Sequence, residues 1–170
     1  MAKYDDASWH YGGDYPKELP AENGATHIGM FLSWCIQNDL TSKELADYAA
    51  TEIQQLKDGK ITGAAFLLRV CDEKLTSYEL SDTGKSFADD YYEGETAFSN
   101  RYNGYMDDYL DVFDQKAENL GFEYETVYHI EDTPENYNLI KDIISQRFKE
   151  WQQYNATKPP LKRDTNKKDS

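Results

Sequence analysis

The sequence predicts a mainly α-helical fold, a single compact helical domain with a minor β element near residues 122–130, with α+β as the alternative. Three observations lead there. Apolar residues recur at helical spacing through most of the chain. Hydroxyl and proline residues sit where helix starts require them. One window alone alternates apolar and polar residues as a half-buried strand does. At 170 residues the chain can bury a continuous core without disulfides or metals to staple it.

Residues 1–23 are rich in aromatic, glycine and proline residues, among them Trp9, Tyr11, Gly12, Gly13, Tyr15, Pro16 and Pro20. Turn formers without a period predict an ordered aromatic arm laid over the domain and not a regular element. Trp9 and Tyr11 are expected to plug a groove, with His10 and Asp14 paired locally. From about Thr26 to Asn38, the spacing of Ile28, Phe31, Leu32, Cys35 and Ile36 predicts a core helix. Thr41-Ser42-Lys43-Glu44 has the capping-box pattern, and Leu45, Tyr48, Ala49, Ile53 and Leu56 then form one face up to a stop at Gly59. Ala64 to Val70 is too short for periodicity to separate helix from buried strand, and is read as helix.

After Ser81-Asp82-Thr83 another helix carries Phe87, Ala88 and Tyr91, and a break near Gly94 precedes a clearer one from about Ser99. There Tyr102, Tyr105, Met106, Tyr109, Leu110 and Phe113 define a single apolar stripe, with Asp107, Asp108, Asp111 and Asp114 off it. The alternation Phe122, Tyr124, Thr126, Tyr128, Ile130 is the strand signal. Thr133 then reads as an N-cap, with Pro134 at the first helical position and Glu135 in the positive first turn. Leu139, Ile140, Ile143, Ile144, Arg147, Phe148 and Trp151 continue a long closing helix. Residues 1–154 thus form one globular domain. Residues 155–170 hold Pro159, Pro160 and a single large aliphatic residue, Leu161, and are read as a disordered basic tail.

Thirty-two acidic residues against 18 basic ones give a net charge of −14, which opposes nucleic acid and anionic membrane surfaces and favours a basic partner. No basic segment followed by an apolar run opens the chain, and no window approaches the length needed to span a bilayer, so a cytoplasmic protein is expected. Cys35 and Cys71 each sit in an apolar run and read as buried free thiols.

Candidate chemistry is sparse. His10, His27 and His129 lie in an arm, a helix start and a strand, none beside a recognisable nucleophile, so no catalytic residue is assigned. No metal-ligand spacing occurs, and the acidic run from Asp107 lacks the glycine and spacing of a calcium loop. Gly84-Lys85-Ser86 echoes the end of a phosphate-binding loop, but Glu79 stands where its first glycine belongs. The stretch Tyr78–Lys85 resembles a winged-helix junction, a DNA-reading role the acidity opposes. No cofactor and no metal are expected.

The informative segment is Ser86–Asp114, with eight acidic and eight aromatic residues and Arg101 its only base. Read structurally, the tyrosines are a core stripe and the aspartates its solvated back. Read functionally, Asp89, Asp90, Tyr91, Tyr92, Glu93, Glu95, Tyr102, Tyr105, Asp107, Asp108, Asp111 and Asp114 are the candidate partner-binding residues. Tyrosine offers large contact area at low entropy cost, and carboxylates steer a basic partner.

The arm Tyr4-Asp5-Asp6-Ala7-Ser8-Trp9-His10-Tyr11-Gly12-Gly13-Asp14-Tyr15-Pro16, with Ala25-Thr26-His27-Ile28-Gly29-Met30-Phe31, Tyr128-His129-Ile130-Glu131-Asp132-Thr133 and Asn136-Tyr137, resembles the signature of a family of small acidic uncharacterised bacterial proteins. Some of its members resemble immunity proteins of secreted polymorphic toxins, including type VI secretion effectors. The resemblance implies no catalytic residues. It implies an immunity protein that neutralises a cognate toxin by direct tight binding. A non-catalytic adaptor or regulatory protein-binding domain is the alternative, and a small-ligand binder or enzyme using a pocket around Trp9, His10, Asp14 and His27 is the third reading.

Overall fold

The chain opens with a short strand, β1 (Lys3–Asp6), that passes directly into helix α1 (Ala7–Tyr11), where the Asp6 carboxylate accepts from the Ser8 N–H and caps the helix. The computed structural model describes residues 2–157. β1 pairs antiparallel with β2 (Lys74–Thr76), with Asp5 opposite Leu75 and Asp6 opposite Lys74, and these are the two strands of the sheet. The arm expected to be irregular therefore begins with regular structure. Lys-Tyr-Asp-Asp has little intrinsic strand preference, and the ladder to β2 supplies what propensity does not.

A 3-10 turn (Ala21–Ala25) leads into α2 (Thr26–Gln37), whose residues 26–36 are all buried, so it runs through the centre of the domain. Next come α3 (Lys43–Tyr48) and α4 (Ala50–Lys57), two helices where one was expected. The break falls at Ala49, and Tyr48, expected on the buried face, is 74% exposed. Ser42, not Thr41, caps α3 by accepting from the Leu45 N–H, while Thr41 forms a bridge to Leu80. α5 (Gly63–Val70) is a helix, as read, and crosses α2 at Gly29 and Gly63. A β-carbon built on Gly63 would lie 1.8 Å from the Gly29 carbonyl oxygen, so this crossing exists only because neither residue has a side chain.

α6 (Asp82–Tyr91) is capped by Ser81 and followed by α7 (Ala97–Tyr102) and α8 (Tyr105–Leu120). The helix expected from Ser99 onward is interrupted at Asn103-Gly104, with Asn103 at φ 107°, yet the stripe survives because Tyr105, Tyr109 and Phe113 all face the core. Gly121, at φ 77°, ends α8 in the left-handed region. The strand expected over residues 122–130 is absent: Val127–His129 form a 3-10 turn capped by the Thr126 hydroxyl. The aromatic rings of that window pack on separate neighbours without a ladder, Tyr124 on Phe122 and Phe113 and Tyr128 on Tyr15. Finally α9 (Pro134–Thr157) starts where Thr133 accepts from the Asn136 N–H. It takes in residues 155–157 of the expected tail, whose remainder lies outside the described residues.

The fold is mainly α and compact. Its core is aromatic: Phe87 stacks on Tyr91 at 5.1 Å between ring centres and meets Phe148 and Trp151 from α9, while Trp34 of α2 packs on Phe148. Both cysteines are free and buried, and burial pushes their thiols up, which makes them inert. Among the described residues no helix is long and apolar enough to cross a membrane.

Candidate functional site

The surface expected along Asp89–Asp114 divides into structural ties and free carboxylates. Tyr91 and Tyr105 lie in the core, the first donating to Asp108 at 2.7 Å and the second to the His27 carbonyl. Asp108 is 3% exposed and takes a two-pronged hydrogen bond from Arg147, at 2.9 and 3.1 Å, plus one from Asn103. These three residues are not contact residues, because burying a carboxylate demands such a partner and Asp108 has spent itself joining α8 to α9. Asp89 accepts from the Tyr4 hydroxyl, Asp90 from the Trp151 indole, and the Tyr92 hydroxyl turns inward to Asp5. Tyr102 is half-buried against Phe98. Glu93, Glu95, Asp107, Asp111 and Asp114 remain exposed, without an ion pair among the described residues.

Beside this outer face, α8 and α9 leave a groove of about 610 Å³. Val112, Leu120, Leu139 and Ile143 supply its apolar lining, and Asp111, Gln115 and Lys116 are among its polar groups. Leu120 is 67% exposed and Leu139 42% exposed. Of the four aspartates expected off the core stripe of α8, Asp107, Asp111 and Asp114 are exposed and Asp108 is buried, and the groove, which the sequence did not reveal, arises from how α9 is laid against α8.

A second constellation was expected only in part: His10 and His27 do come together, as the pocket reading had them, but on Asp5, which that reading did not include. Asp5, in β1, is 7% exposed, and three side chains, one from the adjoining helix and two from farther along the chain, converge on its carboxylate. His10 Nε2 reaches one oxygen at 2.7 Å, His27 Nε2 reaches the other at 3.2 Å, and the Tyr92 hydroxyl donates to the second as well. The local structure explains the approach: the Asp6 cap turns the chain from strand to helix, so α1 folds His10 back over Asp5, while His27 enters from the first turn of α2. The two imidazoles meet edge to face at 4.5 Å. An ionised carboxylate only accepts, so each Nε2 facing it carries a proton. His10 Nδ1 lies 2.9 Å from the Tyr128 hydroxyl, which can donate to it.

Burial alone would raise Asp5, but the hydrogen bonds from His10, His27 and Tyr92 override it and hold the carboxyl well below its ordinary range. Burial pushes His27 below its ordinary value, more strongly than Asp5 pulls it up. Both shifts make acid destabilising. His27 contributes stability that is lost as pH falls below 6.5, and Asp5 contributes stability lost as pH falls below 3.8. A His27→Gln variant is therefore expected to show a smaller drop in thermal midpoint than the unaltered protein between pH 7 and pH 5.

The pocket expected around Trp9, His10, Asp14 and His27 is corrected accordingly. Trp9 is 57% exposed beneath the Lys3 ammonium, 4.9 Å from its ring centre, and plugs no groove. Asp14 is exposed, and the partner of His10 is Asp5. Tyr11 donates to Glu73 at 2.7 Å.

A family model described as a domain of unknown function, DUF7832, matches residues 3–126, and the chain belongs to that family. No curated protein and no solved structure matches it. The matched region takes in β1, His10, His27, Tyr92 and all of α8, and stops short of Tyr128 and α9.

Proposed function

We propose that this DUF7832 member is a non-catalytic protein-binding module, a cytoplasmic immunity protein that neutralises a cognate secreted toxin by occupying its basic active face. The observation that carries the reading is the α8/α9 groove, an apolar trough with Leu120 and Leu139 exposed on its walls in a protein of net charge −14. Exposed apolar side chains gathered in a groove gain by being covered. Asp107 and Asp111 along the same helix, exposed and without an ion pair among the described residues, favour a partner with lysine and arginine around an apolar knob. In this mechanism the carboxylates accelerate encounter with a basic surface, and burial of the knob between α8 and α9 sets the residence time. No bond is made or broken; occlusion is sufficient.

The test is affinity capture of the tagged chain from its native host, with the bound protein identified by mass spectrometry and its binding then measured directly. A basic toxin domain held in equal amounts is the expected partner. Leu120→Glu with Leu139→Glu, both at exposed positions, should leave the melting curve intact and weaken binding on the order of 100-fold, the scale of an interface hot spot. Asp107→Lys with Asp111→Lys should slow association chiefly at low salt. Unchanged affinity in the leucine pair would exclude the groove.

A further inference from the structure

We propose that Asp5, His10 and His27 form a binding site for a divalent transition-metal ion, held by the two imidazole Nε2 atoms and the carboxylate. Two nitrogen ligands and one oxygen ligand suit zinc, cobalt or iron(II), not calcium or magnesium, which prefer oxygen alone. The candidate ligand atoms all lie within 4.8 Å of one another. Metal–ligand bonds of about 2.0–2.2 Å place neighbouring ligand atoms about 3.3 Å apart. The separations here are 2.7 Å from His10 to one Asp5 oxygen and 3.2 Å from His27 to the other, so His27 already stands near that distance and His10 must draw back by about 0.6 Å.

The surroundings match what a bound ion requires. Each Nε2 would give up its proton position to the ion and carry hydrogen on Nδ1 instead. Tyr128 serves His10 in both states: its hydroxyl can donate to Nδ1 in the ion-free ring and accept from Nδ1–H in the liganded one, at the same 2.9 Å. Tyr92 and the Asp6 N–H also hold the carboxylate in place, the first on the oxygen that faces His27 and the second on the oxygen that faces His10. The buried Asp5 carboxylate carries a negative charge that a cation compensates. The His10 side chain is 21% exposed, so an ion and a solvent ligand can reach the cluster from that side.

The experiment titrates Co²⁺ into the purified, chelator-treated chain and follows the d–d absorption bands, with Zn²⁺ competition to rank the ions. One equivalent is expected to bind with nitrogen-ligand bands and to raise the thermal midpoint. His10→Gln, which can still donate to Asp5, should weaken binding on the order of 100-fold, and Tyr128→Phe on the order of 10-fold. The exposed Glu18–Glu125–His129 cluster is the internal competitor, so His129→Gln should leave the bands unchanged. Absence of saturable binding, or loss of the bands in His129→Gln and not in His10→Gln, overturns the proposal. If His10→Gln fails to fold, ¹⁵N shifts of the imidazoles in the unaltered protein decide: Zn²⁺ must move the Nε2 resonances of His10 and His27.

Discussion

Gly63→Ala is expected to destabilise the domain by about 3 kcal/mol or more, the upper end of what forced overpacking costs. Its new methyl group would stand 1.8 Å from the Gly29 carbonyl oxygen and 2.9 Å from the Ser33 β-carbon. The first neighbour is backbone within the buried stretch of α2 and cannot swing aside, so α5 must slide off α2 and open the core around Ile28, Phe31 and Phe66. Gly29→Ala meets the Ala64 backbone nitrogen at 2.2 Å and should behave alike. Gly12→Ala finds only ordinary contact at 3.5 Å and should change stability by no more than about 0.5 kcal/mol. Urea denaturation of the three variants separates the effect of crowding at the helix crossing from the general effect of adding a methyl group.

Arg147→Ala is the second large effect, expected to cost about 3 kcal/mol because it strands a buried carboxylate. Arg147 supplies two of the hydrogen bonds to Asp108, whose remaining donors are Tyr91 and Asn103. Removing the guanidinium also removes one tie between α8 and α9 at the groove and leaves another, Lys116 donating to Asn136. The triple variant Tyr91→Phe/Asp108→Leu/Arg147→Met should recover much of the loss, since it leaves neither a stranded charge nor a buried hydroxyl without its acceptor. If Arg147→Ala melts with the unaltered protein, the pair is ornamental and Asp108 has another counter-charge. The same reasoning excludes Asp108→Lys as a probe of partner binding, because that change would damage the fold before it touched an interface.

The helices were legible where one local signal sufficed. Thr133-Pro134 marks the start of α9, Ser81 the start of α6, and the apolar spacing of α2 its burial. What local signals could not supply were decisions made by contact. Lys3–Asp6 is a strand only because Lys74–Thr76 lies beside it. Residues 122–130 alternate like a strand but have no neighbouring ladder to satisfy their backbone. Asp108 looked like the polar back of α8 because Arg147 is 39 residues away in sequence. The Asp5 cluster was hidden for the same reason: its members come from β1, α1, α2, the C-cap of α6 and the turn at Tyr128, and none of the intervals between them resembles a known ligand spacing. Of the proposed interface, the excess of acid on α8 was readable, while the apolar trough beside it required α9 in place.

Co-expression tests the proposed function most directly. The captured partner's toxic domain is induced in a bacterial host together with the unaltered chain or with the Leu120→Glu/Leu139→Glu variant, and growth is followed. The account predicts that the unaltered chain restores growth and that the variant, equally folded and equally abundant, does not. Growth restored equally by both would contradict the groove as the neutralising surface, and a partner that does not impair growth when expressed alone would contradict the immunity function.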